Sequence, residues 1–503
     1  MYIAILGRQP AIGIAELERL YGDVTWFSDQ TAIINTPSFD FERLGGTQKA
    51  GSIIAELPHG DWRRVSMKIV QHYADAWKHY DGKITLGISA YGFSESPRDI
   101  QKTGIILKGK LKQADVSLRL IPNSEAALST ATSHHNKLGL SDNKIELLVV
   151  KSKTGKIIIA ESIGAQNITA YARRDQERPK RDAFVGMLPP KLAQIMVNLA
   201  VSQEVVQTPL PSSPVAHEQR ARRSLVAGPA VSPPETGFAG TPTRSTPTSP
   251  EQARVEVGVA PPRVTRAGAA TQVSSRSATV ITDTLDPKAD KAPGPLSDVA
   301  GSSVREDDSR RGEQNENDGS NKTPRLLDPF CGTGVILQEA ALMGYAVYGT
   351  DLADKMIDYT DINLKWLEQT HHVNVQATLA QGDATTTNWQ QPIDAVVCES
   401  YLGQPFNAPP SPAKLTEVRG NCNHIISAFL KNIGAQLQSG TPLCIAVPAW
   451  KAVDGTFTHL PLIRELNQLG YSQISFKTIR DSELLYHRED QIVARELLVL
   501  VKA

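Results

Sequence analysis

Across residues 324–503, short apolar runs alternate with segments of helical period. "RLLDPF", "AVYGTDL", "VQATLAQGDA", "DAVVCE" and "PLCIAVPAW" read as strands, with "GVILQEAALMG" and "ADKMIDYTDINLKWLEQ" as helices between them. Strands in alternation with helices predict a doubly wound parallel α/β sheet whose ligands lie at the carboxyl ends of the strands. Two later runs, "YSQISFKTI" and "REDQIVARELLVLVK", predict an antiparallel hairpin at the sheet edge.

The N-terminal pattern is mixed α and β. Residues 1–58 read as strand "YIAILG", helix "IGIAELERLYG" stopped by Gly22, a hairpin across "TWFSDQTAIINT", and a short helix leading into "LGGTQKAG". In residues 59–165, Asp61 caps a helix "WRRVSMKIVQHYADAWKH" and Pro97 opens another through "RDIQKTGIILKGKLKQA". "ITLGISAYG", "VSLRLI", "IELLVVKS" and "KIIIAESI" are its strands, which makes a second small α/β unit.

Residues 166–201 form a connecting segment. Pro189 and Pro190 sit at a helix start, and Leu192, Ile195, Met196 and Leu199 come next at i, i+3, i+4 and i+7, an amphipathic packing helix. Before it, Arg173, Arg174, Arg178, Lys180 and Arg181 are mixed with Asp175, Glu177 and Asp182, which reads as a solvated segment with a phosphate contact as the alternative. From 202 to 323 the chain is rich in Pro, Ser, Thr and charge and poor in large apolar residues. Such a segment cannot bury enough surface to offset its ordering entropy, so it is expected to be a disordered linker.

Composition narrows the class. The 503 residues are 40% hydrophobic, yet no apolar run approaches the roughly 20 residues of a membrane helix, and no basic region precedes the apolar start; a soluble, cytoplasmic protein is expected. Lys plus Arg equals Asp plus Glu at 53 each, so any RNA contact must come from a local patch. Lys108 and Lys112 share a helix face beside Lys110, with Arg119 on the next strand; a solvated face is the default and a phosphate-tracking face the hypothesis. Cys331, Cys398, Cys422 and Cys444 have no CxxC pairing or metal-ligand spacing, and adjacent His134 and His135 point apart on a helix, so no metal site is expected.

One motif carries chemistry. "LLDPFCGTGVILQEA" places Asp328 at a strand end and a Gly332-Thr333-Gly334 turn before a helix. It is neither G-x-G-x-x-G nor a Walker loop, so a phosphate cradle is disfavoured. An acid ahead of the turn suits a cofactor with a positive amino acid tail and no phosphates, which S-adenosylmethionine satisfies. Asp328 would lie near its ammonium, the backbone from Cys331 to Gly334 would line the pocket, Asp351 in "YGTDL" would accept from ribose hydroxyls, and Asp383 in "QGDA" from the adenine amine.

"DPFCGTG", "GTDL" and "QGDA" resemble the class I S-adenosylmethionine-dependent methyltransferases that modify exocyclic amines. "LGRQPAIGIAELERLYG", "ERLGGTQKAG", "RPKRDAFVGMLPPKLAQIMVNLA" and "YHREDQIVARELLVL" resemble the THUMP-containing tRNA guanine-N2 methyltransferases. The resemblance implies a Rossmann-like methyltransferase domain at 324–503 and a THUMP-like RNA-binding domain at 59–165. It also implies a tRNA or other structured RNA substrate and monomeric action. It assigns Asp328, Pro329, Phe330, Cys331, Gly332, Thr333, Gly334, Asp351 and Asp383 to the cofactor, and the loop after "DAVVCE" to the target base. An rRNA or DNA amine, or an inactive RNA-binding relative, are the alternatives.

That loop departs from the family. Amino-methyltransferases resembling this one carry Asp or Asn, two prolines and an aromatic, whereas this chain has Glu399, Ser400, Tyr401 and Leu402. An exocyclic amine is a poor nucleophile because its lone pair is spread into the ring, so a site must accept hydrogen bonds from its N–H groups and align it. Glu399 retains an acceptor with one extra methylene, and Tyr401 can stack on a flipped base. Both are the expected catalytic residues.

Overall fold

The computed structural model describes residues 1–182, 188–201 and 323–503. The expected linker at 202–323 lies, apart from Thr323, outside the described residues.

Residues 1–165 build one sheet from β1 (Tyr2–Leu6), β2 (Val24–Ser28), β3 (Thr31–Ile34), β4 (Thr47–Leu57), β5 (Lys83–Tyr91), β6 (Ser117–Leu120), β7 (Lys144–Lys151) and β8 (Ile157–Ala165). Its order is β2-β3-β1-β4-β8-β7-β5-β6, antiparallel except where β5 runs parallel to β7 and β6. Because β4 pairs along β8, the segments 1–58 and 59–165 share a single sheet. A buried ion pair reinforces the join: Lys49 on β4 reaches Glu146 on β7, two strands away, and also donates to the Leu128 carbonyl at 2.6 Å.

Helix α1 (Pro10–Tyr21) ends at Gly22, whose φ of 77° is left-handed backbone suited to glycine. The short helix expected before "LGGTQKAG" does not form: the Gly45 and Gly46 amides donate instead to the buried Glu16 carboxylate at 2.9 and 2.8 Å. Burial lifts Glu16 to about 6, against the opposing hydrogen bonds. Helices α2 (Trp62–Ala76) and α3 (Pro97–Gln113) pack against the half of the sheet that holds β5 and β6. Asp61 caps α2 as its sequence suggests, accepting from the Arg64 amide at 2.8 Å. Asp61→Ala is expected to cost about 1 kcal/mol, seen as a lower denaturation midpoint.

After α4 (Thr130–His135) and α5 (Ile168–Gln176), α6 (Pro190–Ala200) is more buried than an amphipathic stripe implies. Leu192, Ala193, Met196, Val197, Leu199 and Ala200 are all buried, and so are Gln194 and Asn198. The reason is position: α6 shares one apolar core with α1 on one side and with α7 (Val335–Leu342) on the other, so two faces are covered. Its polar residues find partners, Asn198 donating to Glu16 and accepting from Arg43, which also reaches the Tyr345 hydroxyl at 3.2 Å.

The second sheet comprises β9 (Arg325–Asp328), β10 (Ala346–Asp351), β11 (Ala377–Gln381), β12 (Ala395–Glu399), β13 (Pro442–Lys451), β14 (Phe457–Thr458), β15 (Tyr471–Gln473), β16 (Leu485–Tyr486) and β17 (Val493–Lys502). Its principal order is β11-β10-β9-β12-β13-β17-β15, with α7, α8 (Asp354–His371) and α9 (Pro412–Gly434) as crossovers. β9 to β13 are parallel, as a doubly wound sheet requires. The expected antiparallel pairing at the sheet edge forms, between β15 and β17. β17 is interior, antiparallel to both β13 and β15, and only Tyr471–Gln473 of "YSQISFKTI" forms the edge strand. No helix among the described residues is long and apolar enough to cross a membrane.

Candidate active site

The strand order reverses between β9 and β12, the switch point at which open α/β sheets bind ligands. Asp328 ends β9 there. It is 1% exposed, and its Oδ1 accepts from the Phe330 amide at 3.1 Å. Burial pushes its carboxyl well above the ordinary range; the Phe330 amide opposes this, and nearby Asp351 and Glu399 push it higher. Among the described residues no cationic side chain pairs with it.

The glycine turn after β9 is built for close approach. Gly332 and Gly334 have φ of 51° and 80°. A Cβ on Gly334 would fall 2.9 Å from Thr360 Cγ2, whereas one on Gly332 would meet only the Phe330 carbonyl at 4.0 Å, so the Gly332 face is open. Asp351, ending β10, accepts from the Gly332 amide through Oδ2 and from the Ala353 amide through Oδ1, both at 3.0 Å. These bonds fix its plane while each oxygen keeps acceptor capacity. Beside it, Leu352 is 69% exposed.

Pro329 and Phe330 lead out of β9, and the Phe330 ring meets Phe429 edge-on at 5.1 Å. Burial raises the Cys331 thiol, with Asp328 and Asp351 adding to the shift, so it is a poor nucleophile. Thr333 is held by its carbonyl, which accepts from Asn363 at 2.9 Å. Asp383 lies beyond β11 and is engaged locally: its Oδ1 accepts from the Thr385 hydroxyl and amide at 2.7 and 2.8 Å, which lowers its pKa. The structure thus sets Asp351 and Glu399 within electrostatic reach of Asp328, and the Gly382 amide, next to Asp383, donates to the Asp351 carbonyl at 2.9 Å, so the turn that carries Asp383 adjoins the end of β10.

Glu399 ends β12. Its Oε1 accepts from Arg495 Nε on β17, and both side chains are largely buried. Burial raises its pKa and Arg495 opposes the rise. Ser400 is pinned by its amide and hydroxyl, both donating to the Ala446 carbonyl at 3.0 and 2.9 Å. Tyr401 then leaves the sheet and is 42% exposed, available for a planar ligand.

Several supporting residues had no sequence signal. Asn363 on α8 holds the Thr333 carbonyl and both backbone groups of Lys180, and Thr360 holds the Gly332 carbonyl at 2.8 Å. The basic segment before α6 is therefore not simply solvated. Arg174 makes a two-pronged bond to Glu339 on α7 at 2.6 and 3.1 Å, and Arg178 is buried.

The arrangement defines a class. Residues 318–449 match the UPF0020 family, described as an RMKL-like methyltransferase domain. The tRNA (guanine(10)-N2)-dimethyltransferase of Methanothermobacter thermautotrophicus is 29% identical over 156 residues, covering 31% of this chain and 42% of the relative. The enzyme of the same name from Pyrococcus abyssi is 43% identical over 86 residues, covering 17% of this chain and 22% of its own. The chain thus spans less than half the length of these relatives. The crystal structure of TrmN from Thermus thermophilus aligns over 100% of this chain and 99% of its own at 13% identity, with a TM-score of 0.42.

Proposed function

We propose that this protein transfers a methyl group from S-adenosylmethionine to the exocyclic N2 amine of a guanosine in tRNA. The observation that carries the reading is the convergence of Asp328, Asp351 and Glu399 beside an open glycine turn, with Tyr401 exposed next to them. A buried, unpaired carboxyl such as Asp328 favours a cationic ligand, and S-adenosylmethionine has both an ammonium and a sulfonium. When bound, the cofactor supplies a methyl group activated by the sulfonium.

The chain's own residues supply the rest. Asp328 would hold the ammonium, and Asp351, fixed by two amides, would accept from the ribose hydroxyls. Oε2 of Glu399 accepts from the amine N–H and takes the proton that the nitrogen must lose. Tyr401 stacks on the base.

RNA contact is supported by a groove of about 560 Å³ between α3 and the edge strand β6, lined by Lys83, Lys108, Lys112 and Arg119, with Asp115 among them. It belongs to the region with the THUMP resemblance, and its four cations suit a phosphate backbone. Lys108→Ala with Lys112→Ala is expected to flatten the dependence of log K for tRNA on log salt by roughly 1.5, at ~0.7–0.9 per phosphate contact. An unchanged slope would remove this groove from the interface.

The test is methyl transfer from labelled S-adenosylmethionine to a tRNA transcript, with nucleoside mass spectrometry. Guanosine 10 is the first position to inspect, given the names of the relatives. N2-methylguanosine is the expected product; methylated rRNA or DNA, or cofactor binding without any product, would replace this reading with one of the alternatives.

A further inference from the structure

We infer that Arg495 is a positioning residue for methyl transfer, anchoring and aiming Glu399 from two strands away. The inference rests on the proposed function, in which Glu399 accepts from the target amine.

Sheet register explains how the pair meets. Glu399 stands opposite Ala446 on β13, and Ala446 stands opposite Leu497 on β17. Arg495 is two residues from Leu497, and alternate residues of a strand share a face, so Glu399 and Arg495 project from the same side of the sheet. The guanidinium reaches across β13, where Ala446 offers only a methyl group, and its Nε donates to Glu399 Oε1. Oε2 has no hydrogen-bond partner among the described residues and is not sealed from solvent. One oxygen is anchored, and the other has no partner among the described residues.

The site needs such an anchor for two reasons. Glu has one more rotatable bond than Asp, and this loop has Ser400 and Tyr401 where prolines would stiffen it, so Glu399 alone would lose more entropy on reaching a productive pose. Glu399 also lies near the buried Asp328, and two carboxyls in one low-dielectric site resist joint ionisation. Arg495 on β17 supplies the opposing charge; the other titratable groups coupled to Glu399 are Asp328 on β9 and the neighbouring Cys398 thiol. The ion pair His459 to Glu496 uses the adjacent β17 residue, whose side chain points to the opposite face.

The experiment measures kcat, KM for tRNA and the pH dependence of kcat in full-length wild type, Arg495→Gln and Arg495→Lys. Arg495→Gln is expected to lower kcat on the order of 10²-fold with KM for tRNA unchanged, and to move the acid limb of the profile to higher pH, because burial then raises Glu399 unopposed. Arg495→Lys, which keeps the charge but loses the planar fork, is expected to return the acid limb towards wild type with part of the rate. A purely structural pair would lower the folded fraction and leave the profile of the folded enzyme in place; that result overturns the inference while the proposed function stands. If Arg495→Gln does not fold, the acid limb of Arg495→Lys decides: a wild-type limb with reduced kcat supports positioning, and wild-type kcat overturns it. A wild type that binds S-adenosylmethionine but methylates no nucleic acid overturns both readings.

Discussion

Glu399→Gln is expected to lower kcat for tRNA methylation by roughly 10²-fold while leaving S-adenosylmethionine affinity unchanged. Glutamine keeps an oxygen for Arg495 Nε and nearly the same shape, so the substitution isolates charge from packing. What it removes is the carboxylate that accepts from the amine N–H and receives its proton. Alanine is the poorer probe, because it would leave the Arg495 guanidinium largely buried without its partner, and an uncompensated buried charge destabilises by about 3–5 kcal/mol. Single-turnover transfer and cofactor titration calorimetry on the same preparation separate the two quantities. Wild-type turnover in Glu399→Gln would show that another group accepts the amine, and would move the chemistry away from the end of β12.

The parts of this site that were legible in sequence are those built within one strand, turn and helix. Asp328 to Gly334 forms a local unit, and its chemistry stems from an acid, two glycines with positive φ and a helix start. Asp351 and Glu399 also stand at strand ends, as the sequence pattern suggests, while the role expected of Glu399 came with the family resemblance. Arg495 was not legible, because it meets Glu399 only through the insertion of β17 between β13 and β15. A signal for that insertion was nevertheless present: "LLVLV" is a continuous apolar run, the mark of a strand covered on both faces, whereas an edge strand is expected to alternate. The burial of α6 has a similar cause. Its stripe specified one packed face, and only the tertiary arrangement, with α1 and α7 on either side, reveals why Ala193, Val197 and Ala200 are small or apolar as well. Asn363 had no signal, since a polar residue in a helix usually faces solvent and here it joins three backbone groups from two distant segments.

Asp328→Asn is expected to weaken S-adenosylmethionine binding by about 10- to 100-fold, the loss of one charge-assisted bond of ~1.5–3 kcal/mol, and at the same time to stabilise the ligand-free protein near neutral pH. The two effects have one origin. Asp328 is buried without a counter-charge, and burial raises its folded-state pKa well above the ordinary value of 3.8. For an acid raised on folding, the native state holds the proton more tightly than the unfolded chain. Its stabilising contribution is therefore present below the unfolded pKa and is lost as pH rises through the folded one. Asparagine retains an oxygen for the Phe330 amide and has no proton to lose, so this pH-dependent loss disappears. A bound cation would reverse the balance, favouring the carboxylate and releasing a proton. Wild-type affinity should then gain on the variant as pH rises through the Asp328 titration, and the ratio of the two affinities should flatten below it. Thermal unfolding and cofactor titration of both proteins across pH give the two curves. Parallel affinity curves, with no rise in the ligand-free unfolding temperature of Asp328→Asn, would mean that Asp328 is ionised and compensated within the protein itself, and would leave the site without its main attraction for a cationic cofactor.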